Sequence, residues 1–356
     1  MRNLNKILLI RFGSLGDVVL ATSLIRMLRT AYPVAQIDFM VKREYAELLK
    51  CNPHLSSVIE LRSDDRDELK VLKEGIRRER YDAIVDLHNS LRSRYLRAFS
   101  GARYVRVVNK RVGERSFLVR FKLNFYHGMV PVAERYLETV RKFGVRDDGG
   151  GSEIYVPEEI VQSVSVLLGK YKLERHGTVI GVAPMAKHFT KRWLPERFVE
   201  FGVRAAKETG AKILVLGSRE ETDVCGDIAQ MINAGAGTNA ADSLAGRISL
   251  IETAAVLDHC TLVLSNDTGI MHIAAARRKK VVAIFGSTVR EFGFYPYRTE
   301  SIVLEKAGLP CRPCSPIGLE RCPQGHFKCM REIGVEEVLH ATRTLLARER
   351  QSQPAG

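Results

Sequence analysis

Cys260-Thr261-Leu262-Val263-Leu264-Ser265-Asn266-Asp267-Thr268-Gly269-Ile270-Met271-His272-Ile273-Ala274-Ala275-Ala276 holds the change of period on which the fold turns. The run up to Leu264 is apolar on both alternating faces, as a strand buried inside a sheet is. A turn at Gly269 is expected next, and then a helix. The mouth of that helix leaves backbone N–H groups unpaired and carries the positive end of its dipole, which suits a phosphate. Asp267 and His272 flank the mouth, where they can hold a ribose or a departing phosphate. Strand, tight turn and helix recur in any α/β protein, so the other segments must decide the reading.

Working outward, the same rhythm occurs twice. Strands are predicted over 6–11, 36–41, 58–61, 81–86 and 105–108, with helices between them, the first over 17–30. The basic, aromatic and weakly periodic 109–129 reads as a long, partly mobile loop with helical pieces, followed by a helix over 131–143. Asp147-Asp148-Gly149-Gly150-Gly151-Ser152 is the clearest loop. A helix over 157–170 and a linker near 171–177 follow, and the alternation restarts. Its elements are strand 179–183, helix 195–208, strand 212–216, helix 220–232, shorter pieces through 249–285 and a last helix over 335–347. The expected architecture is two doubly wound parallel α/β domains with a ligand cleft between them. The domains are an N-terminal one over 1–172, a second over 173–334, and a C-terminal helix and tail over 335–356.

The chain has 356 residues, 45% hydrophobic and 27% charged, enough for a sizeable core. No apolar run reaches the ~18 residues of a membrane span. The apolar core of the opening stretch is too short for a signal peptide and reads as a first strand, so a cytoplasmic protein is expected. Net charge is +14, and between Arg92 and Arg146 stand fourteen Lys/Arg against three Asp/Glu. That concentration calls for an anionic partner. The stretch has no nucleic-acid module and no stacking platform, and a phosphorylated or carboxylated lipid at a membrane surface fits as well as nucleic acid, beside the plain reading of a solvated basic face. Of seven cysteines, four form Cys311-x2-Cys314-x7-Cys322-x6-Cys329, near His326. The spacing admits a structural zinc or a set of buried thiols.

Two further constellations follow strands. In Arg11-Phe12-Gly13-Ser14-Leu15-Gly16-Asp17 the pattern is not that of a dinucleotide fingerprint. Asp17 there has two open uses, a helix cap or a general base toward an acceptor hydroxyl. In Ala183-Pro184-Met185-Ala186-Lys187-His188-Phe189-Thr190-Lys191-Arg192-Trp193 cations and a hydroxyl are gathered before a helix, enough to clamp a diphosphate without a metal. Between the second and third sites lies Gly217-Ser218-Arg219-Glu220-Glu221, whose carboxylates suit a sugar hydroxyl.

Ser14-Leu15-Gly16-Asp17, Lys191-Arg192-Trp193, Leu244-Ala245-Gly246-Arg247, the run 265–276 and Val282-Ala283-Ile284-Phe285-Gly286-Ser287-Thr288 stand in the order seen in family 9 glycosyltransferases. From about Lys6 to Ala347 the chain resembles these ADP-heptose:lipopolysaccharide heptosyltransferases of Gram-negative bacteria. The cysteine stretch, ending Cys322-Pro323-Gln324-Gly325-His326-Phe327-Lys328-Cys329-Met330, looks like one found in many members. The resemblance implies a GT-B fold of two Rossmann-like domains and an inverting, metal-independent transfer of heptose from ADP-heptose. It makes Asp17 the catalytic base, with Ser14 and Gly16 beside it on the acceptor side. Thr190 and Lys191 would take the ADP phosphates, and Glu220, Asp267, Thr268, Gly269 and His272 would line the nucleotide-sugar pocket. The acceptor would be the Kdo-bearing inner core of a lipid A precursor in the inner leaflet. Arg92, Ser93, Arg120 and His127 are candidates for its wall, and the enzyme would lie peripherally on that membrane. Gly13 and the loop 186–190 depart from some relatives. Competing readings are a sugar-nucleotide epimerase, a protein heptosyltransferase and a nucleotide-binding module without chemistry.

Overall fold

The computed structural model describes residues 4–352. By internal contacts it divides into two units. The first runs to Val112 and takes in Val130–Tyr155; the second is Gly113–Met129 with everything from Val156 on.

In the first unit the order is β1 (Lys6–Ile10), α1 (Leu15–Ala31), β2 (Gln36–Lys42), α2 (Arg43–Lys50), β3 (Ser57–Leu61), α3 (Arg66–Glu79), β4 (Ala83–Asp86), α4 (Leu91–Arg97) and β5 (Tyr104–Val107). After α5 (Val112–Phe121) the chain returns with α6 (Val132–Val140). The strands form one parallel sheet in the order β3-β2-β1-β4-β5. Ile7, Leu8, Leu9 and Ile10 are fully buried, because helices cover both faces of the central strand. The covering helices are amphipathic or, like α1, buried along most of their length.

The second unit continues with α7 (Glu158–Gly169), β6 (Val179–Ala183), α8 (Pro195–Thr209), β7 (Lys212–Val215), α9 (Thr222–Ala236), β8 (Ala241–Ser243), α10 (Leu250–Asp258) and β9 (Leu262–Asn266). Then come α11 (Gly269–Ala276), β10 (Lys280–Phe285), β11 (Ser301–Glu305), α12 (Lys328–Arg331) and α13 (Val335–Ser352). Its parallel sheet has the order β11-β10-β9-β6-β7-β8. Trp193, Phe198 and Phe201 anchor a core that reaches Val338 and Leu345 of α13.

Several expectations shift. The segment after Asn109, expected as a loop with helical pieces, contains one ten-residue helix, α5. Helix α7 packs on α10, so by contacts the second unit begins at Val156 and not at the 171–177 linker. Helix α13 packs on α8 and the sheet. The turn after β9 is Asp267–Thr268, and Gly269 is already helical with Thr268 as N-cap.

Candidate active site

In a doubly wound sheet the carboxyl ends of the strands open a crevice where the strand order reverses. In the first unit that point lies between β1 and β4. Arg11 leaves the end of β1 and donates from Nη1 to Leu87 O just beyond β4 (2.7 Å). Its Nη2 stands 2.5 Å from Asp17 Oδ2. Asp17 occupies the third helical position of α1, so Ser14, the N-cap, donates to the same oxygen from Oγ (2.8 Å) and N (3.3 Å). Tyr136 of α6 donates to the other oxygen, Oδ1 (2.9 Å). Asp17 thus completes the capping box of α1 and stands in a buried polar cluster.

Burial works to raise the Asp17 carboxyl, and the Arg11 charge with the donated hydrogen bonds outweighs it, holding the group below the ordinary aspartate value. Tyr136 is raised well above its ordinary range by its own burial, although the Arg11 charge opposes that, and keeps its proton. A carboxylate offers about four lone-pair sites. Three donors converge on Oδ2, while Tyr136 is the described donor to Oδ1. Oδ1 is thus the atom of this group with capacity for an incoming proton. His88, after β4, lies 4.7 Å from the Phe12 ring. Burial and the Arg11 charge lower it to about 4, so it is neutral at pH 7.

In the second unit the strand order reverses between β6 and β9. Lys191 from the loop after β6 meets Asp267 after β9, Nζ to Oδ2 at 2.7 Å. Thr288, after β10, donates to that oxygen too (2.8 Å). Asn266, at the end of β9, clamps the first loop by accepting from Trp193 N (3.0 Å) and donating to Pro184 O (2.7 Å). An ammonium has three N–H groups. With one pointed at Asp267, two remain for an anion at the mouth of α11, where the helix N-terminus adds its own attraction. His272 is buried in the first turn of that helix, edge-on to Phe294 at 6.3 Å.

The other sequence-predicted residues fall out unevenly. Thr190 is buried, and its oxygen accepts from Ser287 Oγ (2.9 Å) and Leu319 N (2.8 Å), so it braces the loop that carries Lys191. Glu220 is exposed after β7; its own backbone N–H and Ser218 hold its carboxyl below the ordinary value. Glu221 is bound to Ser218 N (2.8 Å). Gly16 is buried inside α1. Arg92 pairs with Asp64. Ser93 does not stand on an open wall: it is fully buried, its hydroxyl accepting from Ser90 N and donating to Ser90 O in the first turn of α4. Arg120 and His127 are exposed. Arg11, His88, Tyr136 and Thr288 were not singled out as site residues.

Cys314 donates to Cys311 O (3.2 Å), and Cys311 Sγ lies 3.8 Å from His326 Nε2. Burial and the neighbouring cysteines push the Cys314 thiol up to about 11 and, together with Cys322, that of Cys329 to about 12. Among the described residues no group of three or more His, Cys, Asp or Glu is arranged to hold a metal ion.

Comparison with known proteins meets this geometry. The sequence model of Glycosyltransferase family 9 (heptosyltransferase) matches residues 70–318. Lipopolysaccharide heptosyltransferase 3 of Escherichia coli K12 is 25% identical over 343 residues, 93% of this chain and 95% of its own length. In fold, the chain is similar to a family 9 glycosyl transferase from Veillonella parvula, with a TM-score of 0.79, 22% identity, and 97% and 98% of the two chains covered. An E. coli heptosyltransferase solved with ADP-2-deoxy-2-fluoro heptose aligns with a TM-score of 0.66, 17% identity, and 95% and 99% covered.

Proposed function

Because the chain belongs to glycosyltransferase family 9, a family of GT-B enzymes with two Rossmann-like domains, we propose that it moves a heptose from ADP-heptose onto the Kdo or heptose of the lipopolysaccharide inner core. The transfer inverts the anomeric centre and uses no catalytic metal. Asp17 Oδ1 accepts the proton of the acceptor hydroxyl as that oxygen attacks the anomeric carbon. The bond from that carbon to the diphosphate breaks, and ADP leaves with the electron pair. The Lys191 ammonium and the N–H groups opening α11 offset the charge that builds on the departing phosphate. Asp267 and Thr288 keep Lys191 aimed, and Thr268, Gly269, His272 and Glu220 border the nucleotide-sugar pocket.

The observation that carries the reading is the end-to-end match to a lipopolysaccharide heptosyltransferase, taken with a buried carboxylate held ionised at the first switch point. The test is a transfer assay with ADP-heptose against a panel of truncated core lipids, read by mass spectrometry. A mass increase of one heptose on one member is expected; hydrolysis or rearrangement of the donor with every acceptor unchanged refutes the reading. The enzyme works at the cytoplasmic face of the inner membrane, drawn there by the excess of cations between Arg92 and Arg146. Salt-sensitive co-sedimentation with anionic vesicles is expected, and binding indifferent to salt counts against it.

A further inference from the structure

On the second unit, α5 and the loop behind it turn apolar side chains outward. Phe117, Phe121, Leu123, Phe125 and Met129 are between 46% and 56% exposed. The inner face of the helix is occupied: Leu118 and Val119, with Tyr126, pack on Phe292, Val289 and Phe294. Lys122 donates to Pro313 O (2.6 Å), and Asn124 to Glu291 Oε1 (3.2 Å), so the segment is fixed in place. The outward aromatics rest on one another instead of on a core. Phe117 lies 5.7 Å from Phe121 and 5.4 Å, edge-on, from Phe125. A lone exposed aromatic is ordinary, but a pinned, contiguous set of them marks an interaction surface.

Its charge says what covers it. Within Gly113–Met129, the part of the segment that belongs to this unit, stand three Lys/Arg, Arg115, Arg120 and Lys122, against a single acid, Glu114. Arg115 lies in the helix, and the Arg120 guanidinium sits 5.6 Å from the Phe121 ring. Aromatic rings bordered by more cations than acids match the boundary of an anionic bilayer, where rings lie among headgroups and guanidinium groups meet phosphates. No described helix is long and apolar enough to cross a membrane.

We propose that this face docks on an anionic phospholipid surface, Phe117, Phe121 and Phe125 entering the headgroup layer while Arg115 and Arg120 pair with lipid phosphates. The inference rests on the reading of the acceptor as membrane-borne and gives that reading a place on the molecule. Co-sedimentation of the full chain with vesicles of phosphatidylglycerol and phosphatidylcholine, against phosphatidylcholine alone, tests it. The triple variant F117S/F121S/F125S is expected to bind the anionic vesicles at least tenfold more weakly, with transfer to a delipidated, water-soluble core acceptor unchanged. Undiminished vesicle binding overturns the proposal. Should the triple variant fail to fold, Phe125→Trp replaces it. Trp193 is the one native tryptophan and is fully buried, so quenching by spin-labelled phosphatidylglycerol reports position 125. Strong quenching is expected, and its absence overturns the proposal. If the substitutions break a dimer of the wild-type chain and leave vesicle binding intact, the face joins two copies and the proposal falls. Loss of vesicle binding in the triple variant, with no heptose transfer by the wild type to any core acceptor, leaves the docking face standing and refutes the assigned function.

Discussion

Asp17 is governed by an opposition between its burial, which favours the neutral acid, and Arg11, which favours the anion; the anion wins. Because the folded carboxyl lies below its ordinary value of 3.8, its contribution to stability is complete near neutrality and is lost as pH falls through the folded value. Asp17→Asn keeps the shape and removes the base. Heptose transfer should fall by roughly 10²–10⁴, with ADP affinity unchanged in a direct binding titration. Arg11→Met leaves burial to act with less opposition, so the carboxyl rises and the acid limb of the kcat/KM profile moves to higher pH. Arg11→Lys should restore part of the shift, and an acid limb that stays in place in Arg11→Met removes Arg11 from the control of the base. The position of Asp17, a few residues beyond a strand, was legible in the sequence, with cap and base both left open there. Tyr136 was not, since it lies 119 residues away and is brought in by the packing of α6 on α1.

At the scale of elements, the second site is made by which strands are neighbours. The loops after β6 and β9 are far apart in sequence and meet because their strands pair directly across the reversal of order. Lys191→Met removes the charged donor from that meeting point, and a hydrogen bond to a charged group is worth about 1.5–3 kcal/mol. ADP should then bind roughly 10- to 150-fold more weakly by calorimetry. The loop after β10 is packed just as closely. A Cβ on Gly286 would stand 2.6 Å from the Thr190 carbonyl oxygen and 2.6 Å from Met330 Cε. Gly286→Ala should therefore cost about 1–3 kcal/mol in urea unfolding, because a backbone oxygen has little room to give way. The buried strands β1 and β6 were legible to within a residue because nearly every position in them is apolar. Strands β8 and β11 carry no such signal: the first has three residues and the second is a half-buried edge. The pairing of strands, which creates both sites, is decided by helix crossovers and not by any local period.

On the scale of the whole molecule, each unit has its own parallel sheet, and the proposed function assigns the two sheets different halves of the chemistry. That division can be read optically, since Trp193 is the one tryptophan and lies in the core of the second unit. Its indole donates to Ile333 O (3.0 Å) and its backbone N–H to Asn266, whose neighbour is Asp267, so its fluorescence reports unfolding of the frame around Lys191. On the proposed function ADP binds the folded frame and not the unfolded chain, so at one hundred times its dissociation constant it should add about 2.7 kcal/mol to the stability reported by Trp193. Asp17→Asn should keep that increment in full, because its carboxyl belongs to the other unit. Lys191→Met, compared with its own midpoint without nucleotide, should lose about half or more of it at the same ADP concentration. An increment lost in Asp17→Asn and kept in Lys191→Met would reverse the assignment, placing the nucleotide on the first unit and the acceptor on the second.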